Sequence, residues 1–127
     1  INLFNDVEAR DMGLIIKRPI ANAVWGAPAD PKPYTHLPEY AAEYFRRAGI
    51  MGAEGPLAED SDDRIRLALG FTFAHPEVDV TIVGTQRPHH MKSNLEMVSQ
   101  PFGISDSTVD DLHARWDKLS DGWEQRG

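Results

Sequence analysis

The apolar positions of this chain fall into two kinds of pattern. Leu14-Ile15-Ile16 is a short continuous apolar run, and Val78 to Val83 reads as a second short buried strand. Continuity, rather than alternation, marks strands covered on both faces, as in parallel sheets. The other pattern is helical. Val109, Leu112, Trp116, Leu119 and Trp123 recur at three- and four-residue spacings, which makes one stripe along a helix starting near Ser105 or Ser107. Ile65, Ala68, Leu69 and Thr72 form a second such face, behind a cap at Ser61 with Asp62 and Asp63 in the first turn. Pro88 to Ser99 reads as a third helix with Met91, Leu95 and Val98 inward, ended before Pro101. Glu39 to Ala48 reads as a fourth, carrying Tyr40, Tyr44 and Phe45 on one side. Residues 1–4 read as a strand end, and Asp6 to Met12 as a helix stopped by Gly13. The Pro- and Gly-rich stretch from Trp25 to Pro38 reads as an irregular loop, and Gly49 to Glu59 as another.

Strands alternating with helices predict a parallel α/β arrangement. Only two strands are convincing, with a third at the very start. Two or three parallel strands leave their edges unpaired and bury less apolar surface than these helices offer. The expectation is a single partial domain over residues 1–127, the terminal part of a larger barrel or doubly wound sheet. A strand-like start at Ile1, with no charged leader before it, agrees with upstream sequence having been lost.

Composition narrows the function classes. A net charge of −7 argues against nucleic acid or an anionic membrane as the main partner. No apolar run approaches the ~18 residues that a membrane span needs. The chain has no cysteine, which excludes disulfides, thiolate catalysis and cysteine zinc sites and is compatible with a cytoplasmic location. His89 and His90 are adjacent and lack a carboxylate at ligand spacing, so no metal site is expected there.

The most informative segment is Ile82-Val83-Gly84-Thr85-Gln86-Arg87-Pro88, with Asn94 beyond it. A strand, a glycine turn and a helix opening at a proline collect backbone N–H groups, a helix N-terminus and basic side chains in one place. That combination attracts an anion, and a nucleotide phosphate is the natural one. Lys17-Arg18-Pro19, at the end of the other apolar run, is a second basic corner.

Taken together, the two segments resemble the aldo/keto reductases. Ile15-Ile16-Lys17-Arg18-Pro19-Ile20-Ala21-Asn22 looks like their seventh strand and following loop, and Ile82 to Pro88 with Asn94 is similar to their eighth strand and cofactor loop. Leu67 to Phe71 leading to His75-Pro76-Glu77-Val78-Asp79 matches the text between, so the resemblance runs from about Asn2 to Val98. It implies an α/β fold, the C-terminal part of a (β/α)8 TIM-type barrel comprising about its last two to three strands. It also implies NADP (NADPH) as cofactor and a small aldehyde or ketone as the substrate of a full-length form.

The cofactor-binding residues it implies are Arg18, Pro19, Ile20, Ala21, Gly84, Thr85, Arg87, His90 and Asn94. Arg18 to Ala21 would lie along the pyrophosphate. Gly84 and Thr85 would admit and bind phosphate, Arg87 would take the 2′-phosphate or the adenine face, and Asn94 would hydrogen-bond adenine. His90 stands where many relatives carry arginine. Gly84 stands where many carry lysine, Ser93 where glutamate is frequent, and Lys17 where an aromatic ring stacks on nicotinamide. These departures leave the preference for NADPH over NADH open. The family's catalytic tyrosine, lysine, aspartate and histidine come from its first four strands, and no motif here matches them, so no catalytic residue is expected in this chain. The competing expectation is a non-catalytic nucleotide-binding or oligomerisation module that buries its sheet edges in an assembly.

Overall fold

A computed structural model describes residues 3–21, 39–57 and 63–124. Helices α1 (Leu3–Ala9), α2 (Glu39–Gly52), α3 (Arg64–Phe73), α4 (Pro88–Val98) and α5 (Asp106–Leu119) accompany strands β1 (Ile15–Lys17) and β2 (Val80–Ile82). The proline-rich stretch from Trp25 to Pro38, the Tyr34-Thr35-His36 segment within it and the Ser61 cap lie outside the described residues. So do Ile1 and Asn2. The chain divides into two compact units, one from Ile1–Ile20 and Ile65–Ile104, the other from Ala21–Arg64 and Ser105–Gly127.

The first unit holds both strands. β1 and β2 are parallel neighbours, with Ile15 opposite Val80, Ile16 opposite Thr81 and Lys17 opposite Ile82. Val7, Leu14 and Leu69 are its buried apolar residues. His75 closes the end of α3: its Nδ1 lies 2.8 Å from the Phe71 carbonyl and its ring packs on Phe4 and Phe71. Phe73 meets Phe102 edge-on, and the Arg66 guanidinium sits over the Phe102 ring.

Leu3 and Phe4 belong to a helix and not to a strand end. α1 stops at Ala9 through a Schellman closure. The Met12 N–H donates to the Val7 carbonyl at 3.0 Å and the Asp11 N–H to the Glu8 carbonyl at 3.2 Å, with Asp11 at φ +50. The expected stop at Gly13 is therefore made two residues earlier. Aspartate tolerates the left-handed region better than most side chains, so no glycine is needed.

The strands depart from expectation in a second way. Ile15, Val80 and Ile82 are 59%, 49% and 57% exposed, so one sheet face is bare. The continuous apolar run predicted cover on both faces, and within this chain that cover is absent among the described residues. α4 repeats the pattern. Met91 is half-buried, but Leu95 and Val98, expected inward, are exposed.

Gly70 shows where the first unit is tightly packed. A Cβ built there would lie 2.7 Å from Ile104 Cγ2, with the Ile104 and Gly103 backbone just behind. The β-branched Ile104 has little room to turn away. Gly70→Ala is expected to destabilise by about 1–2 kcal/mol despite the better helix propensity of alanine. Adding Ile104→Ala should recover part of the loss in a urea-unfolding double-mutant cycle. A stabilised Gly70→Ala would contradict the packing described.

The second unit pairs α2 with α5. Ser105 caps α5, its Oγ accepting from the Thr108 N–H at 3.3 Å, and Thr108 is completely buried beneath the cap. The sequence left Ser105 and Ser107 open as the start, and Ser105 takes the role. α2 runs to Gly52, past the expected end at Ala48, because a mid-helix glycine such as Gly49 weakens a helix without stopping it. Trp116 and Trp123 meet edge-on at 5.4 Å, and Arg47 stacks over Trp123 while donating to the Glu124 carbonyl at 2.7 Å. Glu43 receives hydrogen bonds from Arg46 and then Arg47, which hold its carboxyl down at about 2.

Arg115, like Arg47, is a buried cation of this unit. Its guanidinium donates to the carbonyls of Met51 (3.1 Å), Gly55 (2.8 Å) and Pro56 (3.1 Å). It also grips the Asp111 carboxylate through Nε and Nη2 at 2.9 and 2.8 Å. The hydrogen bond from Arg115 holds the Asp111 carboxyl below its ordinary range. One side chain thus satisfies the carbonyls of Gly55, at φ +109, and Pro56 beyond the end of α2, and adds a second donor to Met51, which already accepts from the Glu54 N–H at 3.3 Å.

Candidate cofactor site

The parallel pairing fixes where the two basic segments emerge. Lys17, the last residue of β1, lies opposite Ile82, the last residue of β2. Arg18-Pro19-Ile20 and Val83-Gly84-Thr85 therefore leave neighbouring strands at the same, carboxyl, end. In parallel α/β sheets that end is where ligands bind, because the loops leaving it converge while helix N-termini point toward it.

After β1 the backbone turns sharply. Arg18 has φ +59 and Ala21 φ +42, both left-handed, and Arg18, Pro19 and Ile20 are half-buried. The Nη1 atom of Arg18 is shielded from solvent. Ala21, implied by the resemblance as part of this loop, is grouped with the second unit.

After β2 the chain stays exposed from Gly84 to His90. A Cβ built at Gly84 would meet nothing within 4 Å, so the backbone there faces open space. The Thr85 hydroxyl accepts from the Arg87 N–H at 3.2 Å, which shapes the turn into the helix. Arg87 is the N-cap of α4, with φ −115 and ψ 113, and no side chain caps the helix. Pro88 occupies the first turn, where its missing N–H is no loss. An uncapped N-terminus keeps its partial positive charge available. The His90 N–H bonds the Arg87 carbonyl at 3.0 Å, and the His89 and His90 rings meet edge-on at 4.4 Å. Asn94 follows His90 by four residues, so the two share a face of α4, and Asn94 is half-buried. Lys92 pairs with Glu96 at 3.6 Å.

The structure thus brings Arg18, Pro19 and Ile20 to the same sheet edge as Gly84, Thr85 and Arg87, with His90 and Asn94 further along α4. Open space over Gly84, exposed hydroxyl and guanidinium groups and an uncapped helix start fit a phosphate in chemistry and in access. Among the described residues no group of three or more histidine, aspartate or glutamate side chains could hold a metal ion. No helix of the described residues is long and apolar enough to cross a membrane.

Two features escaped the sequence. Asp79, read as part of the strand, uses its side chain against the backbone of Leu14 just ahead of β1. An aspartate flanked by valines at a strand start was the available signal. Thr81, in the middle of β2, has a buried hydroxyl oxygen with no hydrogen-bond partner among the described residues. No family profile, curated protein or solved structure matches this chain.

Proposed function

We propose that this chain is the C-terminal, cofactor-binding part of a cytoplasmic aldo/keto reductase barrel, holding NADPH for hydride transfer to a small aldehyde or ketone. The observation that carries the reading is the parallel adjacency of β1 and β2, which puts both resembling loops at one sheet edge. The bare face formed by Ile15, Val80 and Ile82 supports the fragment half of the reading, because a barrel covers such residues with the rest of its sheet.

NADPH would supply the hydride. Arg18 to Ile20 would flank its pyrophosphate, Gly84 would let the backbone approach, and Thr85 would offer a hydroxyl. Arg87 would pair with the 2′-phosphate, and Asn94 would meet adenine. No residue here is assigned a part in proton transfer, since the catalytic motifs of the family lie outside this chain.

The alternative is a non-catalytic nucleotide-binding or oligomerisation module, which the same exposed apolar face favours. A fluorescence titration with NADPH and NADH, run beside light scattering, tests both. The cofactor reading expects saturable binding without turnover of an aldehyde. Absence of binding by either nucleotide, with a stable multimer, replaces it with the assembly reading.

A further inference from the structure

We propose that Asp79 is a positioning residue: its carboxylate sets the register of β1 on β2 and so brings the Arg18–Ile20 and Gly84–Arg87 loops level. The nucleotide part of this inference rests on the cofactor reading above. The register part stands on geometry alone.

The Asp79 Oδ2 accepts from the Leu14 N–H at 2.7 Å, across 65 residues of sequence. The Leu14 carbonyl in turn accepts from the Asp79 N–H at 3.1 Å and from the Val80 N–H at 3.2 Å. Both backbone groups of Leu14 are thus committed to Asp79 and its neighbour, immediately before the ladder begins. Leu14 is anchored on its other side, since its side chain is one of the few buried apolar groups of the unit.

Side-chain pattern gives this register little other support. A slip by one residue normally exchanges the buried and exposed faces of a strand and is opposed for that reason. Here Leu14-Ile15-Ile16 is apolar throughout, so only the residues at the two ends, Gly13 and Lys17, oppose a slip by their side-chain character. Each strand has three residues, and a short ladder resists sliding weakly. A carboxylate held against one particular N–H discriminates where the apolar pattern cannot. A one-residue slip would shift the two loops by about 3.3 Å, the rise of a strand residue and more than a hydrogen bond tolerates.

The test combines amide hydrogen exchange with nucleotide titration on Asp79→Ala, Asp79→Asn and Asp79→Glu. Asparagine keeps an acceptor at the same reach. Glutamate keeps the charge but displaces it by one methylene. Asp79→Ala and Asp79→Glu are expected to expose the Leu14 amide to exchange and to raise the Kd for NADPH and NADH alike. The rise should be roughly tenfold, the size a charge-assisted hydrogen bond supports. Asp79→Asn, which keeps an uncharged acceptor, should restore most of the Leu14 protection and most of the affinity. Equal loss for the two nucleotides separates a displaced loop from a lost 2′-phosphate contact. Leu14 protection unchanged in Asp79→Ala and Asp79→Glu overturns the register role. Protection lost with affinity unchanged overturns the link to the site. A wild-type chain that binds neither nucleotide removes the cofactor reading and the positioning role together, while the exchange pattern still judges the register.

Discussion

Arg115→Ala is expected to remove about 3 kcal/mol of stability from the unit built on α2 and α5, the largest effect of any single substitution in it. The guanidinium is buried and holds three backbone carbonyls together with a carboxylate. Removing it takes the protein donor from the carbonyls of Gly55 and Pro56, leaves Met51 with the Glu54 N–H alone, and leaves Asp111 without its counter-charge. Hydrogen bonds to a charged group are worth ~1.5–3 kcal/mol, and the ion pair itself adds little because the Asp111 side chain is 35% exposed. Lysine should not rescue it, since a single ammonium cannot span three carbonyls and a carboxylate as a planar fork does. Urea unfolding followed by tryptophan fluorescence reports on this unit directly, because Trp116 and Trp123 both belong to it. A loss under ~1 kcal/mol would mean that the carbonyls find water readily and that Arg115 is not the staple of the α2 end.

Arg87→Ala carries the second large expectation. Arg87 is exposed at the N-cap of α4, beside the open backbone of Gly84. A guanidinium–phosphate contact there is worth on the order of 1.5–3 kcal/mol, so the Kd for NADPH should rise by roughly 10- to 100-fold. NADH lacks the 2′-phosphate and should lose far less. Isothermal titration with both nucleotides reads the difference. A common loss for the two would move Arg87 from the 2′-phosphate to the pyrophosphate or the adenine face. Folding should be little affected, as no side-chain hydrogen bond caps this helix and the turn at Thr85 uses the Arg87 N–H and not its guanidinium.

Much of this was legible along the chain. The two apolar runs became β1 and β2, and the tryptophan stripe became α5 only as far as Leu119, with Trp123 beyond the helix end past the Ser120 cap and not on the helix as expected. The start of α5 was legible only to within Ser105 or Ser107, since either hydroxyl could accept from the N–H three residues on, and packing chose Ser105. The end of α1 was misread at Gly13, since a Schellman closure needs a left-handed residue and Asp11 served. Leu95 and Val98 were misread as inward, since periodicity names an apolar face without supplying the element that covers it. Of the implied cofactor residues, those next to the strands are placed by the ladder, whereas Ala21 falls at the boundary of the other unit.

The amino-acid sequence by itself determined the elements other than the start of α1, the two basic corners and the absence of cysteine chemistry. All of these follow from local propensity, spacing and residue type. Only the tertiary structure decided the register in which the parallel strands β1 and β2 end level with each other, since pairing between residues 65 apart leaves no local trace. It also decided that Asp79 and Arg115 spend their charges on backbone groups far along the chain. A side chain's partner is fixed by the packed fold, and neither carboxylate nor guanidinium announces which distant N–H or carbonyl it will satisfy.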